Sequence, residues 1–222
     1  MQSLANQLIH FYETLDPPAL PKRIGMLRPQ TDKKIMTIVK KFFKTYYGDN
    51  KSRKLMLGIN PGRFGAGITG INFTAPRQLK ENCHIDHPFG NSSELSAEFI
   101  YEVIEEYGGA KKFYGDYFIG AMSPLGFVSN GKNINYYDDK KLQTVLTPFI
   151  TATIQQQLLM GFKSDTVYCI GGEKNFTFLS ALNHKHQFFE KIIPLPHPRF
   201  IMQYRRKKKQ EYIKLYLDLL NN

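Results

Sequence analysis

Apolar residues recur at helical spacing near the start of the chain, at Leu4, Leu8, Phe11, Tyr12 and Leu15, and Pro17-Pro18 closes that stretch. Residues 17–30 carry Pro17, Pro18, Pro21, Gly25 and Pro29 and read as an extended connection. A second amphipathic helix follows, capped by Thr31 or Asp32, with Ile35, Ile38, Val39, Phe42, Phe43 and Tyr46 on its apolar face; Gly48-Asp49-Asn50 ends it. The pattern then changes. Apolar runs at Lys54–Asn60, Asp116–Ser123, Asp165–Ile170 and Phe188–Leu195 predict four short buried strands. Helical stretches separate them. Asn91 with Glu94 fits a capping pair opening a helix through Tyr107, and a long helix runs from about Asp138 to Met160 with an irregularity at Pro148. A third starts after Gly171-Gly172 and reaches Leu182, and a last one spans about Gln203 to Leu220. This alternation implies one domain over residues 1–222, a three-layer α/β/α sandwich around a central, mostly parallel four-stranded sheet. Ligands of such sheets bind beyond the carboxyl ends of the strands, which here carry Asn60-Pro61-Gly62, Ser123-Pro124, Gly171-Gly172 and Pro196-His197-Pro198.

Composition narrows the class. With 42% hydrophobic residues and 14% aromatics over 222 residues, the chain is long and apolar enough to bury one good core and is not disordered. No apolar stretch approaches the roughly 18–20 residues that cross a bilayer, and Met1-Gln2-Ser3-Leu4-Ala5-Asn6 shows no signal-peptide pattern. Cys83 and Cys169 are the only cysteines, which excludes a disulfide framework and any four-thiolate iron–sulfur or zinc site. A reduced, cytoplasmic protein is expected. The net charge of +11 suits a polyanionic partner, although a basic surface that serves solubility alone would have the same composition.

Glycines crowd the segment after the first strand, Gly58-Ile59-Asn60-Pro61-Gly62-Arg63-Phe64-Gly65-Ala66-Gly67-Ile68-Thr69-Gly70-Ile71-Asn72-Phe73. It contains G-x-G-x-x-G, the spacing that binds dinucleotides when it links a strand directly to a helix. Here the motif begins five residues after the strand and runs into Ile71-Asn72-Phe73-Thr74-Ala75-Pro76, with no acidic partner at the end of a second strand. The match is accidental. Two readings of the loop remain open: either the missing side chains let a planar group approach the backbone beside a stacking Phe73, or Asn60 and the glycines only form a tight turn.

These residues resemble those of the uracil-DNA glycosylase superfamily, and within it the single-strand-selective monofunctional, or SMUG-type, branch. Gly58 to Gly65, continued by Thr69-Gly70-Ile71-Asn72-Phe73, is similar to that branch's first motif. Glu94-Leu95-Ser96 resembles its middle motif and Pro196-His197-Pro198-Arg199 its second catalytic motif, so the likeness covers nearly the whole chain. The resemblance implies hydrolysis of the N-glycosidic bond of uracil or a related damaged base in DNA, after the base is flipped out of the strand. It implies that Asn60 positions the attacking water and His197 donates to the base oxygen where charge develops. It further implies that Phe73 stacks on the base, that the amides of Ile59 and Phe73 meet its polar edge, and that Gly62 leaves room at the pyrimidine 5-position. No cofactor is implied, and a monomer is expected.

One position departs from the pattern. Aligned on Phe118-Ile119-Gly120-Ala121-Met122-Ser123, Ala121 stands where the branch reads uracil with an asparagine; Ser123, on the same strand face, and Asn72 are candidate substitutes. Phe200-Ile201-Met202 can be the wedge that fills the stack behind a flipped base, or equally core. Arg63, Arg199, Arg205, Arg206 and Lys207, with Lys208 and Lys209, are candidate contacts to single- or double-stranded DNA, against the alternative of a solvated helix face. Cys83-His84-Ile85-Asp86-His87 resembles a metal cluster but has no fourth partner at regular spacing, so no metal is expected. A DNA repair glycosylase, a non-catalytic DNA-binding module on the same fold and, far behind, a nucleotide-dependent oxidoreductase are the function classes left.

Overall fold

The structure, a computed structural model, describes residues 2–221. Helix α1 (Leu4–Thr14) starts where Ser3 accepts the Asn6 amide, and strand β1 (Ile24–Leu27) follows it. Helix α2 (Lys33–Tyr46) is capped by Asp32, whose carboxylate accepts the amides of Lys34 and Ile35. Strand β2 (Lys54–Gly58) leads into a loop holding the single turn α3 (Ala66–Thr69), followed by α4 (Pro76–Glu81). Helices α5 (Leu95–Tyr107) and α6 (Ala110–Asp116) precede β3 (Tyr117–Ala121) and the hairpin of β4 (Gly126–Ser129) and β5 (Lys132–Ile134). Next come α7 (Lys140–Leu159), with Pro148 inside it, β6 (Thr166–Ile170), α8 (Glu173–His186) and β7 (Lys191–Leu195). Helices α9 (Pro198–Tyr204) and α10 (Lys209–Leu220) complete the order.

The central sheet has the order β3-β2-β6-β7 and every pairing in it is parallel. Strand alternation sends side chains to both faces. Phe118 packs on Phe43 and Tyr47, on the side of α2, whereas its neighbour Tyr117 reaches the Leu220 carbonyl of α10. Leu55, Met56 and Leu57 of β2 are all buried, as a strand covered on both faces requires. Arg53, at the mouth of β2, is buried too, and its guanidinium is fully committed: to the carbonyls of Tyr114, Lys51 and Tyr46 and to the Asp49 carboxylate. It fastens α2 and α6 to the start of the strand that leads to Asn60.

Three sequence expectations need correction. Residues 17–30 are not simply a connection, because β1 pairs antiparallel with β4, which pairs with β5 in a second, three-stranded sheet. The final helix is two helices: α9 stops at Tyr204, a 3-10 turn spans Arg206–Lys208, and α10 starts afresh at Lys209. Glu94 occupies the N-cap position of α5 but makes no capping hydrogen bond. Its carboxylate turns instead toward Gly65, where a Cβ would collide with it.

Candidate active site

Beyond the carboxyl ends of the parallel strands lies a cavity of about 410 Å³. Asn60, from the end of β2, and His197, from the end of β7, both line it, together with Gly58, Ile59, Gly62, Phe73 and Ala121.

Both candidate catalytic side chains are oriented by backbone. Asn60 Oδ1 accepts the Tyr136 amide at 3.0 Å, and Nδ2 donates to the carbonyls of Ile134 at 3.3 Å and Pro61 at 3.4 Å. The amide therefore cannot flip without losing bonds at both ends, and Oδ1 keeps one lone pair free. His197 is the N-cap of α9: its Nδ1 accepts the Arg199 amide at 3.1 Å. In the neutral ring that bond leaves the proton on Nε2. Burial, helped by the nearby Arg199 charge, pulls the His197 pKa down to about 4. The residue is a neutral donor at physiological pH.

The glycine-rich loop is shaped mainly by contacts within the protein. A Cβ on Gly58 would stand 2.7 Å from Cε2 of the Phe73 ring, so this glycine is what allows Phe73 to lie over the strand end. The ring centroid is 6.1 Å from that of His197, at 48°. Phe73 itself has φ of 52°, in the left-handed region, and the turn is held by buried Thr69 and Thr74: Thr69 Oγ1 donates to the Thr74 carbonyl at 2.6 Å. Gly62 differs. A Cβ there would meet only Asn133 Nδ2, at an ordinary 3.4 Å, so packing does not demand glycine and the space belongs to the cavity.

Base-reading candidates separate on structure. Ala121 lines the cavity, but Ser123 does not. The Ser123 hydroxyl is buried and turned into its own bend, donating to the Leu125 carbonyl at 2.9 Å and accepting the Leu125 amide at 3.3 Å. It cannot replace a missing asparagine. Asn72 lines the cavity, with Nδ2 donating to the Ile119 carbonyl of β3 at 3.4 Å. Glu94 lines it as well, and burial raises its carboxyl pKa while Arg199 opposes the rise.

The anticipated wedge also divides. Phe200 is exposed and lines the cavity mouth, whereas Ile201 and Met202 are buried in the core and lie out of reach of DNA. Helical geometry explains the split, since neighbouring positions of α9 point about 100° apart. Around the mouth, Arg63 bonds Asn133 Oδ1 through its backbone amide and Nε and covers the ring of exposed Phe64 at 5.0 Å. Arg205 lies 5.5 Å over Phe200. Arg205, Arg206, Lys207 and Lys208 are exposed, Lys208 in a surface ion pair with Glu211 at 3.4 Å, whereas half-buried Lys209 is held by Glu102 at 2.6 Å. Two members of the metal-like cluster are spent on structure: buried Cys83 Sγ sits 3.1 Å from the Tyr101 hydroxyl, and His87 bonds the Pro76 carbonyl and the Phe89 amide.

The wall formed by Asn133, Asn135 and Tyr137 was not anticipated from the sequence. Its one local signal is Asn130-Gly131 between apolar positions; both residues have positive φ, 49° and 71°, as a two-residue hairpin turn requires.

Residues 45–221 match the model of the uracil DNA glycosylase superfamily, and the chain belongs to that superfamily, in its SMUG-type branch. Among solved structures it is similar to the wild-type SMUG2 of Pedobacter heparinus, with 44% sequence identity and a TM-score of 0.96 over 100% of this chain and 98% of that one. No curated protein matches it. The family acts on DNA as a glycosylase, and the oxidoreductase reading is set aside.

Proposed function

We propose that the protein is a monofunctional DNA glycosylase that takes a flipped uracil, or a related deaminated or oxidised base, into the cavity and hydrolyses its N-glycosidic bond with water. The observation that carries this reading is the convergence of Asn60 and His197, each locked in one orientation by backbone groups, on one cavity beside the Phe73 ring.

The chemistry follows from those orientations. Cleavage builds positive charge on the sugar and negative charge on the departing base. The free lone pair of Asn60 Oδ1 holds a water in line with the anomeric carbon; an amide suffices because so electrophilic a centre needs orientation more than deprotonation. His197 offers Nε2–H to the base oxygen and stabilises the anion as a neutral donor that needs no reorganisation. Phe73 stacks on the base, the amides of Ile59 and Phe73 meet its polar edge, and the space at Gly62 accepts a substituent at the 5-position. With Ala121 contributing only a methyl group and Ser123 turned away, Asn72 is the sequence candidate that still lines the cavity to tell uracil from cytosine. Arg63, Arg199, Arg205, Arg206 and Lys207 hold phosphates around the mouth, and Phe200 occupies the gap in the stack.

The test is single-turnover base release on single and double strands carrying a panel of deaminated and oxidised bases, read as alkali-labile abasic sites. Asn60→Ala and His197→Ala should each slow release by about 10²–10³-fold while DNA affinity stays near the wild-type value. Full activity in both would remove the site assignment.

A further inference from the structure

The groups that hold Asn60 do not belong to the central sheet. The Tyr136 amide and the Ile134 carbonyl sit at the end of β5, in the three-stranded sheet at the edge of the fold, and its hairpin tip is solvent-exposed. A clamp on so peripheral an element would transmit its motion to the Asn60 amide unless something tied it down. Tyr136 does so. Its side chain is wholly buried, and its hydroxyl donates to Asn175 Oδ1 at 2.7 Å. Asn175, also wholly buried, spends its Nδ2 on Cys169 Sγ at 3.3 Å and the Ile170 carbonyl at 3.4 Å, at the end of β6. Strand β6 is the neighbour of β2, the strand that carries Asn60. The connection is thus closed: Asn60 to the Tyr136 backbone, through the Tyr136 hydroxyl to Asn175, and back to the adjacent strand end.

Burying a phenol against a carboxamide is a poor way to gain stability. Each polar group gives up its water, and a matched apolar pair of the same shape is nearly neutral or better. What such a pair provides is geometry, because a satisfied buried network has one arrangement. We propose that Tyr136 and Asn175 are positioning residues that hold the Asn60 amide in its reactive orientation by fixing the β5 segment to the end of β6. This rests on the proposed role of Asn60 in orienting water.

The measurement is single-turnover release of uracil with DNA affinity and Tm determined alongside, for Tyr136→Phe, for the apolar pair Tyr136→Phe/Asn175→Leu, and for each of these combined with Asn60→Ala. Tyr136→Phe should lower the rate about 10–100-fold, as a sub-ångström loosening of a reacting group does, with DNA affinity changed less than about twofold. The apolar pair should not recover rate, even where it recovers Tm. In the Asn60→Ala background neither change should slow the residual reaction further, because there is no amide left to hold. A full rate in Tyr136→Phe, recovery of rate with Tm in the apolar pair, or an equal fold-loss in the Asn60→Ala background would each overturn the positioning role. If Asn60→Ala itself keeps its rate, the role of Asn60 falls and the positioning role falls with it; if only Asn60→Ala is slow, the positioning role falls alone.

Discussion

At His197 a backbone contact sets the tautomer, and burial beside the Arg199 charge sets the titration. Its Nδ1 accepts the Arg199 amide and its pKa lies near 4, below the ordinary value of 6.5. Between these values the unfolded chain binds a proton that the folded one refuses, so this group's contribution to stability declines as pH falls from about 6.5 toward 4 and is constant above. An NMR titration should show the His197 ring protonating near pH 4, and the acid side of the stability curve should be shallower in His197→Asn than in the wild type. A His197 midpoint near 6.5 would remove the pKa lowering attributed to burial, and one well above 7 would contradict the neutral-donor role. At Gly58 the issue is space. A methyl group there would press on the Phe73 ring, so Gly58→Ala should leave the fold standing and slow base release at least 10-fold, with the larger share in substrate binding, since stacking is worth about 1–3 kcal/mol per base. Gly62→Ala, with room for its Cβ, should behave as wild type on uracil.

Among elements, the break between α9 and α10 decides which cations are available. The 3-10 turn Arg206–Lys208 leaves Arg205, Arg206, Lys207 and Lys208 exposed near the cavity mouth, Lys208 in a loose pair with Glu211, while Lys209 is held by Glu102. Replacing Arg205, Arg206 and Lys207 with alanine should weaken DNA binding and reduce the slope of log K against log salt by about 1 for each phosphate no longer neutralised, with base preference unchanged. An unchanged slope returns them to a solvated surface. Phe200→Ala should slow release from a base-paired uracil far more than from an unpaired one, because only the former needs its gap in the stack filled. Legibility in the sequence also varies by element. The strand ends bearing Asn60 and His197 could be found because apolar runs of five or more residues lead into rigid Asn-Pro-Gly and Pro-His-Pro motifs. The hairpin β4–β5 could not be found by periodicity: strands of three and four residues are too short to show a period, and only Asn130-Gly131 betrays them. Ser123 escapes a sequence reading for a related reason, since strand alternation gives the face but not whether a hydroxyl closes on its own turn.

For the whole molecule, the arrangement of charges around the cavity bears on reaction type. Among the described residues no lysine lines it. The ammonium of Lys174 lies 5.9 Å over the ring of Tyr137, a wall residue, but the side chain is exposed and hydrated and stands outside the cavity that an amine nucleophile would have to occupy. Base release should leave an intact abasic strand, and borohydride should trap no protein–DNA adduct. An adduct that disappears on mutating Lys174 would replace water with an amine and remove the role given to Asn60.

The strand order β3-β2-β6-β7 also has a consequence for synthesis. The chain leaves the ribosome amino end first, at about 5–20 residues per second, and β2 emerges long before either of its neighbours. Asn60, Phe73 and Ala121 are made early, yet the cavity lacks its far wall until β7 and His197 follow. Until then β6 is an open edge and no nascent chain has a complete reaction centre. A message cut short before the His197 codon yields a polypeptide without the histidine proposed to act on the base and with an unpaired strand, a target for aggregation and proteolysis rather than a crippled enzyme that occupies DNA.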